Sequence, residues 1–458
     1  MGIRQDDPRS AYPALTPRAR AVLTASGAVL LLVLAASLRY KVITYVSGDT
    51  KQNGTPWVEW LRSHGFHGVV TIKANYNVTY FYLLWLAAKL PVSTVATVKL
   101  VTFLFELVFS ATVVLILRGY GFSRLHSAVA SVSLLFLPSI VLNGAVWGQC
   151  DITYSAFCLL SWWALTTRKP WWAWGFFGVA ISFKIQAVFF LPVLIYRLVF
   201  TMAGWRRLSR REKLSCLSPL AAVAAFFLGL VPALLTGGRL PALLGRYFSV
   251  NSSFTGNADH MVANAANVWQ LVGANPFTLS SGAVVFTVAL VIIMTLANLV
   301  RTTRSAVQEN FMFPFAIVMV IPFFLPNMHE RYFFLAEVFA AVFAIVTRRL
   351  FFIASAVLLQ FTMYISYAPF LFAANQSGPL ITLAMMAVIN GAILCGAVFL
   401  LFRGPAKTPG HASGDEGRRR AARERLPHLR ETVWPQLDSS RPRSVRPGSQ
   451  ARFRSTPR

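Results

Sequence analysis

The stretch AVLTASGAVLLLVLAASL, residues 21–38, decides the fold class. It carries no charge and is long enough to cross a bilayer core as a helix. Arg4, Arg9, Arg18 and Arg20 precede it, and no small-residue cleavage site follows it cleanly. It reads as a first transmembrane helix preceded by a cytoplasmic N-terminus, residues 1–20, and not as a removable signal peptide.

The whole chain agrees with that start. Of its 458 residues, 56% are hydrophobic and only 13% charged. A soluble domain carries about 25% charged residues, so this chain cannot cover a soluble surface with polar groups. Further apolar runs lie at 95–117, 125–143, 152–166, 217–236, 280–299, 311–325, 332–347, 350–370 and 379–402. The expectation is an all-α polytopic membrane protein, with about 11–13 transmembrane helices over residues 21–403. After Pro405 the chain turns Arg-, Ser- and Pro-rich, and 404–458 is expected to be a disordered basic cytoplasmic tail.

The net charge of +27 suggests nucleic acid in a soluble protein, but not here. The tail alone holds 13 Lys/Arg against 5 Asp/Glu, and much of the remainder sits in short loops. Positive-inside bias makes Arg168-Lys169, the Trp205–Lys213 run, the Arg301–Arg304 turn and Arg348-Arg349 cytoplasmic. Alternating crossings then put the first loop, 39–77, outside, along with Trp147–Asp151, the loop 237–279 and 326–331. Parity requires the run 171–200 to cross an even number of times, as two short helices with Lys184 at the outer tip. The run 78–90 is expected to be re-entrant or juxtamembrane. Cys150, Cys158, Cys216 and Cys395 show neither metal spacing nor a disulfide framework.

Acidic residues between 21 and 403 are few, and Asp49, Glu59, Asp151, Asp259 and Glu330 all fall on the expected outer face. Glu106 and Glu337 fall within apolar runs and need partners. Asp49, in Ser47-Gly-Asp-Thr50, suits a general base that takes a proton from an acceptor hydroxyl; the alternative is a helix cap. Gln149 and Asp151, in Trp147-Gly-Gln-Cys-Asp151, suit hydrogen bonding to sugar hydroxyls; for Asp151 the alternative is again a cap. Lys184 interrupts an apolar run, as a phosphate ligand or as a snorkelling or carboxylate-paired lysine. Asn327-Met-His-Glu-Arg-Tyr332 packs His329, Glu330 and Arg331 beside Tyr332. Arg331 suits a phosphate and His329 a phosphate or sugar; the alternative is an ordinary charged turn. No closely spaced carboxylate pair is visible, so no cofactor is expected, and divalent-metal use stays open.

These segments together resemble the GT-C glycosyltransferases, in particular the bacterial mannosyltransferase-like proteins related to the second mannosyltransferase of GPI-anchor assembly. The resemblance is carried, in order, by Asp49 with the segment around Trp60, Asn75–Tyr80, Trp147-Gly-Gln-Cys-Asp151, Phe183–Gln186 with Pro192, and Met328-His-Glu-Arg-Tyr-Phe333. It spans about 40–347. Relatives often have proline where this chain has Val78. The resemblance implies a GT-C-like bundle with a long first outer loop, in a bacterial cell membrane. It implies transfer of a sugar, mannose on this resemblance alone, from a polyprenyl-phosphate donor to a glycolipid or glycan acceptor outside the cytoplasm, with inversion. Asp49 then acts as base, and Lys184, His329 and Arg331 hold the carrier phosphate. The expected partners are these lipid-linked substrates and membrane lipid, with no nucleic acid. The alternatives are a transporter or flippase for a lipid-linked sugar, whose kind often shows internal repeats that this chain lacks, and a membrane scaffold.

Overall fold

The computed structural model describes residues 16–74, 76–256, 262–272, 276–301, 305–372 and 382–404. Most of the N-terminus, Asn75, Asn257, Asp259, His260, Arg304 and the tail from 405 onward lie outside the described residues.

Helix α1 (Pro17–Lys41) begins at Thr16, whose hydroxyl accepts from the Ala19 N–H, with proline at its first position. Both features favour a helix start. Only 6% of its apolar stretch is buried, so lipid must cover the rest. A π-helical turn (Thr50–Gly54) and the helices α2 (Thr55–His64), α3 (His67–Thr71) and α4 (Val78–Ala88) follow. Next come α5 (Thr94–Gly119) and a bent span made of α6 (Arg124–Ser133), α7 (Pro138–Ile140) and a π-helical stretch, Val141–Val146. The bend is 57° and falls just before Pro138. The antiparallel pair α8 (Asp151–Thr166) and α9 (Pro170–Phe183) is joined by a short turn, and a 3₁₀ stretch (Ile185–Phe190) leads to α10 (Leu191–Ala203). Then follow α11 (Arg210–Ser215), α12 (Pro219–Leu235), α13 (Leu240–Gly256), α14 (Trp269–Val272), α15 (Pro276–Val300) and α16 (Phe313–Phe324). A 3₁₀ turn (Glu330–Phe333), α17 (Phe334–Thr347), α18 (Leu350–Phe372) and α19 (Leu383–Phe402) complete the chain. Among the described residues the only sheet is a two-residue parallel pairing of β1 (Val262–Ala263) with β2 (Met328–His329). Much of the expected loop 237–279 is thus helical, and β1 ties it to His329.

The protein is an all-α polytopic membrane protein, but with fewer full-length spans than expected. Among the described residues seven helices are long and apolar enough to cross a membrane, or eight with the bent pair. The difference lies in the interior. Helices α8, α16 and α17 have 16, 12 and 14 residues. At 1.5 Å per residue α8 reaches only about 24 Å, and α16 with the π-helical turn before it, Gln308–Phe324, about 26 Å, both short of the hydrocarbon thickness. All three are almost wholly buried, with Phe313, Phe315, Phe334 and Phe339 inaccessible. They are apolar because protein surrounds them, not lipid. Lys184 does separate two helices in 171–200, as expected, but its side chain is buried.

The bundle has two distinct ends. Asp49, Asp151, Lys184 and Arg331 mark one. At the other, Tyr120, Trp162, Phe311 and Phe343 pack together, and Arg348 lies over Phe122. Arg168-Lys169 and Arg348-Arg349, which follow the ends of α8 and α17, belong to this second end. Inside the bundle Arg39 pairs with Glu106 at 2.8 Å and also donates to the Leu135 carbonyl, which supplies the partner Glu106 needs.

Three cations clamp the segment after α1 through main-chain oxygens. Lys99 of α5 donates to the carbonyls of Val42 and Tyr45. Arg62 of α2 reaches those of Ala88 and Val92 past the end of α4. Arg246 of α13 bonds those of Val69 and Ile72 around the end of α3. Helix α4 starts where Asn77 and Thr79 bond the Ser182 carbonyl and ends at the Arg62 clamp, so it does not traverse the bundle.

Helices α9 and α12 approach most closely at Gly178. A Cβ there would lie 2.4 Å from the Ala222 carbonyl oxygen. Backbone cannot yield as a side chain can, so a larger residue must separate the helices. Gly178→Val is expected to cost roughly 1–3 kcal/mol. Denaturation of the purified protein in detergent, followed by circular dichroism, measures it; an unchanged midpoint contradicts the close approach.

Candidate functional site

The site forms where four chain breaks meet: the end of α1, the start of α8, the α9–α10 break and the turn before α17. Asp49 precedes the Thr50–Gly54 turn, and its side chain makes no capping bond. Its Oδ2 instead accepts from the Trp147 indole N–H at 2.9 Å and the Gln149 amide at 2.7 Å. Among the described residues no hydrogen bond falls on Oδ1. The carboxylate is 32% exposed. The loop is held there because the Ser47 and Thr50 hydroxyls both donate to the Trp147 carbonyl, at 2.7 Å each. Gly148 sits at φ +79°, and a Cβ on it would lie 2.7 Å from the Thr50 hydroxyl. Glycine there permits both the turn and the contact.

Asp49 borders a cavity of about 220 Å³, lined among others by Asn53, Tyr76, Gln149, His329 and Arg331. Trp57 stands edge-on to Tyr76, giving the wall an aromatic side. The Tyr76 hydroxyl donates to Gln149 Oε1 at 3.2 Å, so Gln149 spans from the aromatic wall to Asp49.

Arg331 is the hub. Its guanidinium lies 3.6 Å from Asp49, 3.9 Å from Asp151 and 3.3 Å from Glu330. Its central carbon sits 5.5 Å from the Trp147 ring centroid. Three carboxylates thus converge on one cation. Among the described residues no group of three His, Cys, Asp or Glu is assembled as metal ligands would be.

Behind the cavity lies a buried layer. Asp151 is the first residue of α8 and not its cap, which is Cys150. Its carboxylate is inaccessible and bonded by Asn143 at 2.8 Å and by the Lys184 ammonium. Lys184 is therefore the carboxylate-paired lysine of the two sequence readings, and it does not line the cavity. Glu330 is also buried, and burial pushes its carboxyl up to about 7 against the opposing pull of Arg331. Tyr332 packs edge-on against Phe189, away from the cavity. His329 borders the cavity, but partial burial and the adjacent Arg331 hold its imidazole below the ordinary value.

Asp49, Gln149, His329 and Arg331 thus share one cavity, with Asp151, Lys184 and Glu330 behind them. Sequence reasoning did not assign Trp147, Tyr76 or Asn143. Trp147 and Tyr76 lie inside quoted segments, whereas Asn143 sits in an apolar run with no spacing signal. The chain matches no protein-family model and no curated protein.

Proposed function

We propose that the protein is an inverting glycosyltransferase that moves a sugar from a polyprenyl-phosphate donor to a glycolipid or glycan acceptor, with mannose as the sugar on the family resemblance. The supporting observation is the pairing of a partly exposed carboxylate with a permanently charged guanidinium on one cavity wall. In a single displacement the acceptor hydroxyl attacks the anomeric carbon, and its proton passes to Asp49. The bond from that carbon to the phosphate oxygen breaks, and the phosphate leaves with the electron pair. Arg331 stabilises the charge that develops there. No carboxylate nucleophile is needed, so two-carboxylate hydrolase spacing does not apply. Gln149 and His329 offer hydrogen bonds to sugar hydroxyls, while Asp151 and Glu330 hold Arg331 from behind and Lys184 pairs with Asp151. The basic turns lie at the bundle end opposite Asp49, which favours an extracytoplasmic site in a bacterial inner membrane.

The test is transfer from labelled polyprenyl-phosphate mannose to a glycolipid acceptor, in liposomes holding the purified protein. Wild type is expected to transfer. Arg331→Ala is expected to lose about 10- to 100-fold in kcat/KM, the value of a charge-assisted bond, with both KM and kcat affected. Lipid movement across the bilayer without transfer would instead support a flippase.

A further inference from the structure

We infer that Trp147 is a positioning residue that holds the base Asp49 and the phosphate ligand Arg331 in one frame; this rests on the glycosyl-transfer reading above. Trp147 touches the Asp49 segment at three points. Its indole N–H donates to Asp49 Oδ2 at 2.9 Å. Its own carbonyl accepts from Ser47 and from Thr50, the residues flanking Gly48-Asp49. On its other side the ring faces the Arg331 guanidinium at 5.5 Å. The ring itself cannot shift. It is 1% exposed, stands edge-on to Tyr367 with centroids 5.1 Å apart and stacks on Phe370 at 5.7 Å.

This arrangement has a chemical consequence for the base. Both neutral donors, Trp147 and Gln149, address the same oxygen, Oδ2. Together they hold that oxygen in place. They also fix its plane, leaving Oδ1 to take the acceptor proton. The distance between proton acceptor and phosphate cation is then set by one rigid indole.

Trp147→Phe keeps an aromatic ring and the carbonyl and removes the N–H, at the cost of the indole's second ring. The isosteric β-(3-benzothienyl)alanine at position 147 does the same with the full bicyclic shape, which guards against misfolding. Both are expected to lower kcat about 10-fold per folded protein, the scale of one bond to a charged group. Donor KM should hardly change, since a ring still underlies Arg331; Trp147→Leu, which removes the ring, should raise it. An unchanged kcat in the benzothienyl protein overturns the inference. Asp49→Asn is assayed alongside. If Asp49→Asn is dead and the benzothienyl protein keeps wild-type kcat, only the positioning role has failed. If Asp49→Asn turns over normally, the glycosyl-transfer reading has failed and the inference with it.

Discussion

Asp49→Asn is expected to fold, insert, bind the lipid-linked donor and lose sugar transfer by at least about 10²-fold. The amide is nearly isosteric with the carboxylate. Its oxygen can still accept from Trp147 and Gln149, so the loop keeps its anchor. What disappears is basicity. An acceptor hydroxyl is a very weak acid, and its proton must leave as the new bond forms. Positioned base catalysis typically supplies about 10²–10⁴-fold. Turnover is measured with labelled polyprenyl-phosphate mannose in liposomes, and donor binding separately by equilibrium dialysis in detergent. Asp151→Asn is expected to lose less, because its carboxylate is inaccessible and bonded to Lys184 and Asn143. Normal turnover by Asp49→Asn with Asp151→Asn inactive would exchange their roles. Normal turnover by both would remove the mechanism.

The second large effect is on stability. Lys184→Met is expected to destabilise the protein by about 3–5 kcal/mol, because it strands the buried Asp151 carboxylate without its nearest cation. Asp151→Asn should be costly for the mirror reason, since it leaves a buried ammonium. The double variant Lys184→Met/Asp151→Asn should recover much of the loss, because no unpaired charge stays inside. Unfolding midpoints of the four proteins in one detergent close the cycle. Additive losses would show that the pair is not coupled, contrary to the contact seen here.

Fold class was legible because residues 21–38 and their kind permit no other surface than lipid. The count of spans was not. Hydropathy reports removal from water, and the interior of a membrane bundle removes a side chain from water as completely as lipid does. Helix α17 and helix α1 are both apolar, yet the first is core and the second is lipid-facing. The site was legible where charge was scarce: Asp49, Asp151, Lys184, His329 and Arg331 stood out as ionisable groups beside apolar runs, and they gather at one end. Their roles were less so. The pairing of Lys184 with Asp151 joins positions 33 residues apart, and no local pattern specifies it. Trp147, Tyr76 and Asn143 escaped because aromatic and amide side chains are common in such a chain. Only their geometry distinguishes them.

The carbonyl clamps made by Arg62, Lys99 and Arg246 bear on how such a protein can evolve. A main-chain oxygen is supplied by every residue type, proline included. The whole sequence requirement of each clamp therefore falls on one basic side chain, and none falls on the turns it grips. The exposed positions among them, Thr44, Thr71 and Lys89 to Pro91, can drift in composition while the segment after α1 stays anchored, whereas Val69, Ile72 and Ala88 are held as core. Lineages carrying this scaffold are free to remodel the exposed parts of these turns without rebuilding the attachment that holds the Asp49 segment in place.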